Sequence, residues 1–390
     1  MRVIHFSTGH LGGAGLAARR LNQGLLKRGV NSTFCAIENK TFPQSEHELP
    51  LTRSIINSTI GKFVTYLNLK VGKKVFFSLF NRNMLTEDFL VQFKSNNTIL
   101  HFHNFYNLTD QKTISALVRS GYNVVVTLHD QRLLTGGCHY AFDCRGFESS
   151  CSNCPQVASP LKFLVTRNMR DTRELAKEMD NLYLIAPSKW MSNQVMRAQL
   201  VTANRVRFIP NTLGADFNSK IQYKRVSKNT GNFKLGIASM DLHSYIKGGD
   251  IVKQLAIEVA ESRLPLEFVN MKDFEGHLGA EKFWGTIDCL LVLSRADNSP
   301  NVIHEAKNFG IPVIGSKLGG ITELLDHDFD YLVSGPDVSA IEIQEYLKAL
   351  YSSSEFEERR AAMKEKFDSY VENSIESHLD YYNFILQKTE

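Results

Sequence analysis

Net charge, long apolar runs and cysteine are all scarce in this sequence, and each scarcity excludes something. A formal charge of +4 over 390 residues is too weak to mark a nucleic-acid binder, so no nucleic-acid partner is expected. No stretch approaches the roughly 18 to 20 apolar residues that a spanning helix needs. The amino terminus, "MRVIHFSTGHLGGAG", is a short apolar strand followed by glycines. It lacks the longer apolar region and small-residue cleavage site of a secretory leader, so a cytoplasmic location is expected. Repeats of solenoid period and low-complexity tracts are missing too. The cysteines number only six, but Cys138, Cys144, Cys151 and Cys154 fall within seventeen positions. In a reducing compartment that density favours a metal site over disulfides.

What is present reads as a soluble α/β chain. Hydrophobic residues make up 43% and charged residues 22%, and the length exceeds one ordinary core, so two domains are expected. Strand-like runs occur at 2–7, 32–37, 98–104, 123–130, 182–188 and 205–211, then at 233–239, 264–270, 289–294, 311–316 and 331–335. Several are almost continuously apolar, as parallel strands buried on both faces must be. Amphipathic stretches separate them, among them "GLAARRLNQGLLKRG" with Ala17, Leu21 and Leu25 at helical spacing. The alternation predicts two doubly wound parallel sheets. A polar, aperiodic stretch at 213–232 divides them into domains 1–212 and 213–373, and the helix at 374–390 is free to pack back on the first.

Three clusters carry candidate chemistry. After the first strand come Gly9, Gly12, Gly13 and Gly15, then a helix whose free amides and dipole suit an anion. The spacing is not that of a nicotinamide fingerprint, and there is no P-loop lysine. "TLHDQ" puts His129 and Asp130 at a strand's carboxyl end, and "HFHN" puts His103 and Asn104 at the end of the preceding strand, where open sheets bind ligands. In the second half, "RADNSPNVIHEAKNFGIPVIGSKLGGITELL" separates Asp297 from Glu305 by seven residues, with Ser299, Pro300, Asn301 and Val302 at a helix start and Gly319-Gly320 after the next strand. Ordinary capping, core histidines and tight turns would explain each cluster locally, and pattern alone leaves both readings open.

"GGAGLAARRL", "VTLHD", "APSKWM", "IPNT", "YIKGG" and "SPNVIHEAKNFGIPVIGSKLGGITELL" stand in the order found in retaining glycosyltransferases of family four, which the chain resembles. That resemblance implies the GT-B fold, two Rossmann-like domains facing across a cleft. It assigns Glu305 to the ribose of a nucleotide diphosphate sugar, Asp297 to the donor sugar hydroxyls and Lys247 to the diphosphate. Ser299, Pro300, Asn301, Val302, Gly319 and Gly320 line the donor, and Gly12 and Gly13 face the diphosphate. His129 lies near the transferred sugar, with His103 and Asn104 on the acceptor side. Asp297 stands where the family usually has glutamate, and the arginine that often precedes Lys247 is missing from "ASMDLHSY". Only about twenty residues separate "LEFVN" from "CLLVLS", which implies a trimmed donor domain. No cofactor is implied for catalysis. The competing readings are an epimerase of the same fold and a non-catalytic nucleotide-sugar-binding subunit.

"GGCHYAFDCRGFESSCSNCPQ" resembles a block of the subgroup acting in colanic-acid, exopolysaccharide and O-antigen synthesis, which implies a lipid-linked glycan acceptor. Cys151 and Cys154 have zinc-knuckle spacing, Cys138 and Cys144 are slightly wider, and His139 is a spare ligand. A structural zinc is the expectation, with free thiols and disulfides as alternatives. From Arg53 to Arg82 the chain has Arg53, Lys62, Lys70, Lys73, Lys74 and Arg82 and no acidic residue, interleaved with Phe63, Tyr66, Phe76, Phe77 and Phe80. Such an element suits an anionic membrane surface, here the inner face of the cytoplasmic membrane, or a helix packed on its own domain.

Overall fold

The computed structural model describes residues 1–37, 42, 45–51, 55–73, 76–81, 83–177, 181–213, 232–239, 244–274, 279–334 and 338–388. The chain divides into two compact units, Met1–Gly214 with Asn373–Glu390, and Ala215–Glu372. The stretch expected as a linker falls almost wholly outside the described residues, as do Arg53, Lys74 and Arg82.

Seven strands build the first unit: β1 (Arg2–Ser7), β2 (Asn31–Ile37), β3 (Glu48–Leu51), β4 (Thr98–Asn104), β5 (Asn123–Thr127), β6 (Leu182–Ala186) and β7 (Val206–Phe208). They form one sheet in the order β3-β2-β1-β4-β5-β6-β7, and every pairing is parallel. β5 and β6 are buried along their whole length, which is why their sequences are unbroken apolar runs. The 32-residue helix Phe356–Gln387 ends on this unit: Tyr381, Tyr382 and Ile385 pack with Val3, Ile99, Val125 and Ile185.

The second unit has β8 (Phe233–Ile237), β9 (Leu266–Asn270), β10 (Cys289–Val292), β11 (Val313–Ser316) and β12 (Tyr331–Val333). Their order is β12-β11-β10-β8-β9, again all parallel. Between β9 and β10 lie a 3₁₀ turn and one helix, Gly279–Thr286, and no strand among the described residues. The sequence-level expectation of two parallel α/β sheets therefore holds. It misses one element, β3, a four-residue edge strand in which Leu49 and Pro50 are exposed. So short and proline-bearing a run gives no strand signal, and an edge is where such a strand is tolerated. Among the described residues no helix is long and apolar enough to cross a membrane.

Candidate functional site

In the second unit the strand order reverses between β8 and β10, and open α/β sheets take ligands at the carboxyl ends of such strands. The chain leaving β8 reaches Lys247 through the 3₁₀ turn Tyr245–Lys247, and the chain leaving β10 reaches Asp297. Lys247 Nζ donates to Asp297 Oδ2 at 2.6 Å, the lysine being partly exposed and the carboxylate buried. Asp297 is held on its other sides as well. Its Oδ1 accepts from the Asn298 amide at 2.9 Å, and its carbonyl accepts from the Gly320 amide at 2.9 Å. Gly319 has φ +61°, and a Cβ there would collide with the Asp297 carbonyl, so only glycine lets the loop after β11 close on Asp297. Lys247, Asp297, Gly319 and Gly320 thus come together from three separate segments.

The helix Asn301–Asn308 starts four residues beyond Asp297. Pro300 takes its cap position without a side-chain bond, and Ser299 Oγ pairs with His304 Nε2 at 3.0 Å. Asn301 and Val302 are partly exposed in the first turn, and Glu305 follows, buried, on the same short helix. A helix start beside a lysine favours a bound anion. The arginine that often precedes Lys247 in the family is missing from the sequence, and residues 240–243 lie outside the described set. Arg295 flanks the same turn: it donates to the Tyr245 carbonyl at 3.0 Å and to both Asp250 oxygens at 2.6 Å. The "DFD" stretch at 328–330 is structural. Asp330 is buried, pairs with Lys307 and accepts from the amides of Val313 at 2.8 Å and Asp326 at 2.6 Å.

In the first unit the reversal falls between β1 and β4. Past β1, Thr8 donates from its amide and its hydroxyl to the Asn104 carbonyl at 2.6 and 2.9 Å, tying the glycine loop to the end of β4. The helix Gly12–Lys27 then begins with Leu11 at its cap position and no side-chain cap bond. Gly12 and Gly13 are exposed, and a Cβ on either would meet nothing, whereas one on Gly15 would strike the Gly9 carbonyl.

Beside that loop the carboxyl half of the sheet holds a row of imidazoles. His5 Nδ1 lies 3.1 Å from His103 Nε2, and His103 Nδ1 lies 3.2 Å from His129 Nε2. His101 is bonded at both nitrogens, to Tyr382 Oη and Thr127 Oγ1, each at 2.7 Å. Burial pushes His5 down to about 3 and His129 to about 4, and it holds His101 and His103 well below the usual imidazole range. The rings are therefore neutral near pH 7, each with one donor and one acceptor nitrogen. His103 has both nitrogens bound to other histidines and is 5% exposed, so it is placed to orient His129.

Asp130, next to His129, is also fixed. Burial alone would raise its pKa, but the Arg132 guanidinium, with His139 beside it, outweighs burial and holds the carboxyl below the usual range. Arg132 Nε and Nη2 donate to Asp130 at 2.9 and 2.6 Å, and His139 Nε2 lies 3.1 Å from Asp130 Oδ2. The same guanidinium donates to Ser78 Oγ and Asn104 Oδ1, each at 3.2 Å, and lies over the Tyr106 ring. Asn104 is thus engaged by Arg132 at its side chain and by Thr8 at its carbonyl.

The basic segment splits. Phe77 is completely buried, and Phe80 is partly buried against the same core. On the helix Ile55–Val71, by contrast, Ile60, Phe63, Tyr66 and Leu69 are 46%, 59%, 55% and 55% exposed. The four clustered cysteines carry no disulfide and line one small cavity, together with Phe77, Gly136 and Phe147.

No family model matches the chain. Over 365 residues it is 24% identical to WcaC of Escherichia coli K12, to which glycosyl transfer in colanic acid biosynthesis is ascribed, covering 84% of this chain and 85% of that protein. Among solved structures, it superposes on the Thermosynechococcus elongatus sucrose-phosphate synthase with a TM-score of 0.63 at 13% identity, covering all of both chains. Anabaena HepE with UDP and glucose gives 0.61 at 16% identity, covering 98% of this chain and 99% of that one. WaaG, a glycosyltransferase of lipopolysaccharide biosynthesis, gives 0.58 at 13% identity over 98% and 99%. This is the GT-B fold of glycosyltransferases.

Within the GT-B framework Lys247 and Asp297 lie at the switch point of the second sheet, Gly12, Gly13, His103 and Asn104 at that of the first, and His129 one strand farther on, after β5. What the sequence reading missed is the support around them. His5 reaches His103 only because β1 and β4, 98 residues apart, are neighbours. The Asp130–Arg132–His139 cluster is local in sequence and could have been suspected from its charges. Arg132 was overlooked because it lies beyond the strand, in a 3₁₀ turn that carries no periodic signal.

Proposed function

We propose that this chain is a retaining glycosyltransferase that moves a hexose from a nucleotide diphosphate sugar to a lipid-linked glycan in bacterial surface polysaccharide synthesis. The observation that carries the reading is the Lys247–Asp297 pair, locked by Gly319 and Gly320 at the β8/β10 switch point next to the Asn301–Asn308 helix start. Lys247 and the early helix amides present positive charge where a departing diphosphate gains negative charge, a preorganised electrostatic role. Glu305 accepts the ribose hydroxyls, Asp297 the sugar hydroxyls, and the exposed Gly12–Gly13 turn gives close backbone approach to phosphate. His129 serves the transferred sugar as a neutral ring whose tautomer is set by His103 and His5.

The similar fold of HepE holds UDP and glucose, which supports a uridine-diphosphate hexose as the first donor to try. WcaC and WaaG, both assigned to surface polysaccharide synthesis, support the acceptor class. Asp130, the carboxylate nearest His129 in sequence, is tied down by Arg132 and His139, which argues against it as an enzymatic nucleophile. The proposed course is front-face transfer without a covalent intermediate, with donor and acceptor hydroxyl held in place by the protein.

The test is nucleotide release from a panel of nucleotide diphosphate sugars, with and without polyprenyl-linked glycan, and the anomeric configuration of the product by NMR. Acceptor-dependent release with retained configuration is expected. Glu305→Ala should abolish transfer while leaving the fold intact. Lys247→Ala should weaken nucleoside diphosphate binding about tenfold or more while sparing the nucleoside. No release with any donor would remove the enzyme reading, an inverted product the retaining one, and equal losses for both ligands the Lys247 assignment.

A further inference from the structure

The cysteine-rich loop after β5 has no part in the chemistry above, yet its construction is specific. Cys138, Cys151 and Cys154 are buried, and Cys144 is partly so. All four line one cavity of about 20 Å³, more than the roughly 10 to 15 Å³ that a single water needs.

Three of the sulfurs also face a backbone amide. The Gly146 amide donates to Cys144 Sγ at 3.4 Å. The Gly136 amide faces Cys151 and the amides of Gln156 and Val157 face Cys154, while the Thr135 hydroxyl donates to the Cys138 carbonyl at 3.0 Å. Neutral thiols and disulfide sulfurs are weak acceptors and have little use for this many donors. Thiolates bound to a cation need them, because each retains negative charge that the surrounding shell must stabilise.

The backbone gives a third, independent sign. Cys151 and Phe142 have φ of +54° and +51°, the left-handed region that non-glycine residues rarely adopt. Between Gly136 and Val157 the one regular element is the three-residue turn Gly146–Glu148. Backbone bonds to Lys73, Phe76 and Ser78 hold its two ends, and no strand or long helix supports the stretch between them.

We propose that Cys138, Cys144, Cys151 and Cys154 bind one Zn²⁺ as a structural staple of the 136–157 loop. The four thiols lose their protons on binding, and the metal's affinity becomes local folding energy. Ligation draws the sulfurs inward to the ~2.3 Å of a zinc–thiolate bond. In this structure they stand farther apart than that requires. Among the described residues the ligand atoms that already lie within 4.8 Å of one another belong to His5, His101 and His103. That trio is not the site, because five of its six ring nitrogens are bonded to one another or to Tyr382, Thr127 and His129, His5 Nε2 being the exception, and an ion there would break those bonds. The staple's consequence is positional: Cys138 is followed by His139, whose ring pairs with Asp130 beside His129.

The experiment uses the full chain, expressed without added zinc and purified without chelator. Elemental analysis should find about one zinc per chain, and an organomercurial should release it in step with four thiols. Cys144→Ser and Cys154→Ser should lose the zinc, while Cys35→Ser, altering a buried cysteine of β2, should keep it. If the loop variants fail to fold, the wild type exchanged into Co²⁺ should show the visible bands of a tetrahedral tetrathiolate site. Substoichiometric metal with six alkylatable cysteines in denaturant would overturn the proposal in favour of free thiols. Metal-free protein with four cysteines unreactive until reduced would overturn it in favour of disulfides.

Discussion

Gly12 and Gly13 are adjacent, exposed and chemically identical, yet the structure gives them different reasons to be glycine. Gly12 has φ +80°, so its backbone alone demands glycine, while Gly13 does not carry a positive φ and has open space where a Cβ would project. Folding therefore places no requirement on Gly13. If a phosphate rests on the first turn of the Gly12–Lys27 helix, a methyl group there intrudes on the ligand. Gly12→Ala should cost about 1 kcal/mol of stability. Gly13→Ala should leave the unfolding transition in place and lower kcat/KM by about tenfold or more. Unchanged turnover in Gly13→Ala would remove the phosphate role from this loop. The contrast matters because a loss of activity in Gly12→Ala alone could reflect the backbone rather than the ligand.

At the scale of elements, the Ile55–Val71 helix shows how far composition can be read. Aromatics and lysines interleave from Phe63 to Phe80, and nothing in the sequence says which rings point inward. Packing separates them: Asn68 is buried and accepts from the amides of Leu79 and Phe80 at 2.8 and 2.9 Å, fastening the helix to the segment that carries Phe77. Ile60, Phe63, Tyr66 and Leu69 are left outside in successive steps of three, flanked by Lys62 and Lys70. We expect the protein to co-sediment with anionic vesicles and not with neutral ones. Phe63→Glu with Tyr66→Glu should abolish this at unchanged thermal stability, since both side chains are exposed. Binding unaffected by the pair would assign the strip to another role. The strands were more legible than this helix, because burial on both faces forces apolar runs, as in "NVVVT" and "LYLIA". The Asp297-to-Glu305 spacing was legible for a similar reason, being set within one loop and one helix. Contacts made by distant strands, such as His5 to His103, leave no mark on local sequence.

At the scale of the whole molecule, the buried imidazoles make stability depend on pH. Burial lowers His5 to about 3 and His129 and His378 to about 4, and it also depresses His101 and His103. For His129, Asp130 pulls toward the charged form and Arg132 opposes it, so the net direction is still down. An unfolded chain has histidines near 6.5, so below that pH it binds protons that the folded chain refuses. The stability tied to these rings is complete above about pH 6.5 and falls as pH drops toward 4, by about 1.4 kcal/mol per pH unit for each proton taken up. Asp130 belongs to a separate window. Its pKa is depressed by Arg132 and His139, so its contribution is lost only below the ordinary carboxylate range. Urea unfolding between pH 7.5 and 4.5 should therefore show a falling midpoint and an uptake of more than one proton. His378→Gln should reduce that uptake by about one. Stability that stays flat from pH 7 to 5 would mean that the rings are charged or solvated in the folded chain, and the tautomer row that positions His129 would fall with it.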